Sequence, residues 1–86
     1  MKIKKVEIVP IRPHEGLIAF ASIILEEGFY LGSIGVHRKL DGGFRITFPT
    51  RKVGETNLCI YHPLTPEISK AFEQAICLKA AELFSS

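Results

Sequence analysis

The chain has 86 residues, 47% of them hydrophobic and 23% charged, with seven glycines and five prolines spread along it. This composition excludes a disordered chain and fits one small globular domain over residues 1–86, burying only about 60 to 65% of its unfolded surface. Two cysteines exclude a disulfide scaffold, and a net charge of +2 excludes a uniformly basic protein.

Taken in order, "KIKKVEIVPI" alternates Val6, Ile8 and Pro10 on one face with Lys5, Glu7 and Val9 on the other, the period of a half-buried strand. Pro10 cannot donate to a ladder, so this strand is expected at a sheet edge or ends there. "RPHEG" supplies turn residues, and "LIAFASIILEE" then reads as a central strand buried on both faces. "EEG" is a tight reversal in which Gly28 is free to take a positive φ. "FYLGSIGVHRK" follows as a third strand, with a bulge or close backbone approach expected at Gly32 and Gly35. "DGG" at 41–43 is a strong hairpin signal. It leads into "FRITF", with Phe44, Ile46 and Phe48 inward, and after a loop carrying "FPTRKVGETN" a fifth strand is expected at "LCIYH".

The last third changes period. Thr65 is the expected N-cap, Pro66 the first helical residue and Glu67 the complement to the helix dipole. Ile68, Phe72, Ala75, Ile76, Lys79 and Leu83 recur at three- and four-residue steps, predicting one long helix over the sheet. The expected fold class is α+β, a small antiparallel β-sheet of about five strands with one long C-terminal helix. A core this small provides only about 3 to 5 kcal/mol, which points to an oligomer.

The chemical candidates are sparse. Cys59 and His62 lie three apart, but on a strand that spacing puts them on opposite faces, wrong for one ion. His62 before Pro63 is expected to order the turn into the helix, His14 to be solvated, and His37 to be either structural or part of a basic surface. No base, nucleophile or carboxylate pair is grouped for catalysis, and no glycine-rich phosphate cradle exists. An enzyme, a cofactor, a metal and a small-molecule substrate are therefore not expected. The start lacks an apolar core of signal-peptide length, and "GLIAFASIIL" is half of the roughly 20 residues of a membrane span, so a cytoplasmic protein without membrane association is expected.

Charge is the stronger lead. Between residues 38 and 52 stand Arg38, Lys39, Arg45, Arg51 and Lys52 against Asp41 alone, a net of +4. Cations on a hairpin and its flanking loops can track a phosphate backbone. Their convergence on one side of the molecule is the expectation. Phe44 and Phe48 are inward, which leaves Tyr61 as the residue available to stack on a base.

Three stretches in order carry a family resemblance: "IAFASIILEEGFYLGSIGV", "GFRITFPTRK" and "HPLTPEISKAFEQAI". Over about residues 3–80 the chain resembles the SpoVG family, the bacterial septation and stage V sporulation protein G group. The resemblance implies a homodimer that binds DNA, and in some members RNA, as a regulator of gene expression, septation, cell division or sporulation. It gives Arg51 and Lys52 the first claim as nucleic-acid contacts and Lys70 and Lys79 a second. The short "GE" turn, with Leu58 and Cys59 where relatives tend to be charged, departs from the family pattern, so target preference is not carried over. The competing expectation is a dimeric protein–protein interaction module whose strand edge or helix face docks a partner, with the cations as its rim.

Overall fold

The computed structural model describes residues 2–84. Its elements are β1 (Ile3–His14), β2 (Leu17–Leu25), β3 (Tyr30–Arg38), β4 (Phe44–Thr47), β5 (Thr50–Val53), β6 (Thr56–Cys59) and α1 (Pro66–Phe84). The first four form an antiparallel sheet in the order β1-β2-β3-β4, while β5 and β6 form a separate two-stranded ribbon. The fold class is α+β, as expected. The strands are divided four and two because the "FPTRK" stretch, read as a loop, is itself half of a hairpin. β6 accordingly begins at Thr56 and ends at Cys59, leaving Ile60, Tyr61 and His62 outside it.

Register decides which residues share a face. Val6 and Ile8 of β1 pair with Ile23 and Ala21 of β2, and Ala19 and Ala21 pair with Val36 and Ile34 of β3. Val36 pairs in turn with Ile46 of β4. Cross-strand partners point the same way, so these residues make one apolar face. α1 covers it, placing Phe72, Ile76 and Ala80 in the same buried cluster as Ile23, Ile34 and Val36. Short side chains at Ala19 and Ala21 in the central strand leave room for the larger groups on the helix.

β2 is central, as expected, but only one of its faces is covered by α1. Phe20 alternates onto the other face and is 42% exposed. β1 is an edge strand, which accommodates Pro10 and lets the strand continue to His14. In β3 the expected irregularity is present: a register shift lies opposite Ala21 and Ile23, and Ser33 takes φ +61°.

The helix starts where expected. The Ile68 amide donates to Thr65 Oγ1 at 3.3 Å, the bond of an N-cap. Its buried stripe runs Phe72, Ile76, Ala80, whereas Lys79 is exposed and Leu83 is 52% exposed. The stripe predicted from sequence drifts by about one residue in the last turns, because steps of three and four both fit a 3.6-residue period and small Ala80 gives a weaker apolar signal than Leu83. Ile76→Ala is therefore expected to cost about 2 to 5 kcal/mol in urea unfolding. Leu83→Ala should change stability by about 0.5 kcal/mol or less. Equal losses would contradict this packing.

Candidate nucleic-acid interface

The β3–β4 hairpin carries three of the sequence-predicted cations. Its register pairs His37 with Arg45 and Arg38 with Phe44. Arg45 thus stands beside His37 on the open face, while Arg38 points with Phe44 toward the helix side, its Cζ 5.1 Å from the Phe44 ring centroid. Lys39 lies in the turn between the strands. There the Lys39 amide donates to the Gly43 carbonyl at 2.8 Å, and the Gly43 amide donates to Asp41 Oδ1 at 2.8 Å, which closes the turn.

Arg51 and Lys52 lie on β5 and not on a loop. Arg51 pairs with Leu58 and Lys52 with Asn57, so the two cations project from opposite faces of the ribbon. The reversal falls two residues later, where Gly54 takes φ +64°. A signal for this was available: β-branched Thr50, Val53 and Thr56 flank a two-residue "GE" turn, the pattern of a hairpin.

On α1, Lys70 is exposed, and Lys79 lines a groove with Lys5, Leu78 and Glu82. That groove is on the β1 side of the helix, whereas Cys77 and Phe84 meet Phe44 on the β4 side. The expectation that the cations of residues 38–52 converge on one side is thus corrected. Strand alternation sends Arg38 and Arg45 to different faces of the sheet and Arg51 and Lys52 to different faces of the ribbon. All five are exposed, and among the described residues no carboxylate pairs with any of them. The ion pairs there are Lys5–Glu7 at 3.3 Å and His14–Glu15 at 3.9 Å, both at the surface and weak.

The open face carries a concavity of about 400 Å³, lined in part by Leu17, Phe20, Ser33, His37, Thr47 and Ile60. His37 Nε2 and Thr47 Oγ1 share a hydrogen bond of 3.0 Å. Partial burial, and then the charge of Arg45, hold the His37 pKa below its ordinary value, so the imidazole is neutral at pH 7 and adds no charge to the basic surface.

Tyr61 is not available for stacking on a base. Its O–H donates to the Gly32 carbonyl at 2.6 Å, and its ring meets Phe48 edge-on at 6.0 Å. Burial, and then Tyr30, push its pKa up to about 12. The aromatic rings presented to solvent are Phe20, Phe29 and Tyr30, which sequence reading missed because Phe20 sits inside an apolar run that looked buried throughout.

The remaining candidates have local roles. His62 Nδ1 lies 2.9 Å from the Pro63 carbonyl oxygen, ordering the turn before α1 as expected. The Cys77 thiol donates to the Phe44 carbonyl at 3.5 Å, and burial followed by the charge of Glu73 keeps it protonated. Among the described residues no group of three or more His, Cys, Asp or Glu is placed to hold a metal ion. No helix there is long and apolar enough to cross a membrane.

These features define a small α+β protein with one face sealed by a helix, one face open, and exposed unpaired cations carried on two hairpins. The chain belongs to the SpoVG family, whose family model matches residues 1–81. This is a family of regulatory proteins. No curated protein matches the chain.

The lowered pKa of His37 carries a pH dependence. The unfolded chain protonates this ring near its ordinary value of 6.5, and the folded chain does so only at lower pH. The stability involved is complete above about 6.5 and is lost as pH falls from there through the folded-state value. Thermal unfolding at pH 7.5 and pH 5.0 should therefore show a larger drop for the wild type than for His37→Gln; equal drops would exclude His37 as the source.

Proposed function

We propose that this chain is a homodimeric nucleic-acid-binding regulator of the SpoVG type, acting on DNA or RNA in the control of gene expression or septation, and that it has no catalytic activity. One observation carries this reading: Arg38, Lys39, Arg45, Arg51 and Lys52 are all exposed on two adjacent hairpins, and none is neutralised by a carboxylate of the described residues. Five unpaired cations in fifteen residues are costly in self-repulsion and gain most when a polyanion supplies the missing charge. Membership of the SpoVG family supports the same reading.

The chemistry is phosphate neutralisation with release of condensed counterions, which gives affinity without reading sequence. Lys70 at the exposed helix surface is a secondary contact, and Lys79, held with Lys5 on the β1 side, is the weakest of the seven. Dimerisation is favoured by a thin core and by large apolar side chains left at the surface, among them Val9, Leu64 and Leu78.

The reading is tested by the slope of log affinity against log salt concentration for a short duplex. Replacing both Arg51 and Lys52 by Ala should flatten it by about 1 to 2 units per engaged protomer. An unchanged slope removes the ribbon cations from the site, and an absence of binding at low salt removes the function.

A further inference from the structure

The face of the sheet left open by α1 offers more than charge. Its concavity, about 400 Å³, is of a size that takes small ligands, which occupy sites of about 300 to 1,000 Å³. Leu17, Phe20 and Ile60 give it apolar walls, and Ser33 and the hydrogen-bonded His37–Thr47 pair give it polar ones. We propose that this concavity receives one unpaired base of a single-stranded nucleic acid, its ring against Phe20 and its polar edge toward His37, Thr47 and Ser33. The proposal rests on the nucleic-acid reading above and adds the ligand's form and its contact residues.

Three features of the backbone and side chains fit a built site. Gly35 forms the floor, where an added Cβ would lie 2.6 Å from Thr47 Oγ1 and 3.2 Å from His37 Nε2. Glycine at 35 thus keeps the floor low and the polar pair in place. Ser33, on the wall, holds φ +61°, a conformation that non-glycine residues adopt at a cost and that persists where the surroundings impose it. Phe20 is a large aromatic side chain held part-exposed in the middle of the central strand, the placement a stacking platform needs.

Charge selects a nucleic acid over a second copy of this chain. Arg45 stands beside His37 on this face, and Lys52 lies on the same ribbon face as Thr50, which lines the concavity. Phosphates on either side of the inserted base would meet these two cations. An isologous contact through the same face would instead bring the cationic rim onto itself. His37, neutral at pH 7, holds Thr47 through Nε2 and keeps Nδ1 to donate or accept toward a base edge, according to its tautomer.

The test compares a twelve-nucleotide oligothymidylate with an abasic oligomer carrying the same phosphates. Wild type should bind the thymidylate about 10- to 100-fold more tightly, the range that stacking of a base supplies. Phe20→Ala should abolish that difference while leaving abasic binding and the salt slope unchanged. The chain has no tryptophan, so Phe20→Trp supplies a single reporter that retains the preference and whose emission is quenched by the thymidylate but not by the abasic oligomer. A base preference that survives Phe20→Ala in a folded protein overturns the proposal, as does Phe20→Ala halving the mass in sedimentation, which would make this face a subunit interface. If the wild type binds both oligomers equally, the pocket is refuted while the phosphate reading stands. If it binds neither at low salt, the pocket falls, and the phosphate reading falls with it when the duplex is not bound either.

Discussion

Docking of α1 onto one face of the four-stranded sheet is the constraint from which the other features follow. Ile76 and Phe72 bury against Ile23, Ile34 and Val36, and these contacts make up most of the core available to so short a chain. One helix covers one face. The opposite face keeps Phe20, Tyr30 and Val9 exposed, although β2 supplies apolar residues to both sides. Sheet and helix make two layers, and with no third layer on its other side the sheet leaves that face open.

The cations are arranged by strand geometry and not by proximity in sequence. Neighbouring basic residues in an extended chain part company, because successive side chains leave opposite faces. Arg51 and Lys52 are separated this way, while Arg45 and Lys52, seven residues apart, lie on the faces that carry His37 and Thr50 beside the concavity. A polyanion crossing the open face would therefore meet Arg45 and Lys52, one from each hairpin, while Arg38 stays with Phe44 on the helix side. Its binding energy would divide into a salt-sensitive phosphate component and a salt-insensitive one from any base that reaches Phe20.

The central place of β2, the "DGG" hairpin, the Thr65 cap and the inward faces of β1 and β4 could all be read from alternation and turn chemistry, which are local signals. The bulge in β3 was also marked in advance, by Gly32 and Gly35. What could not be read depended on three-dimensional partners. A fully apolar strand such as "LIAFASIIL" carries no mark of which face is covered, so the exposure of Phe20 emerges only once α1 is placed. Tyr61 looked free because the acceptor that holds it, the Gly32 carbonyl, lies 29 residues away. The ribbon was hidden for the opposite reason: its two strands are four residues each and polar, with little periodicity to count. Of the candidate site, the residue types were visible in sequence, while their distribution over two hairpins and a helix was not.

The account's central claim is that nucleic acid meets the side of the sheet opposite the helix. Backbone amide shifts recorded by NMR while a twelve-nucleotide oligothymidylate is added test it most directly. Ser33, His37, Arg45, Thr47 and Lys52 should move together, with Val6, Ile76 and Ala80 unchanged. Shifts centred on α1 and its groove with β1, with both hairpins silent, would contradict it.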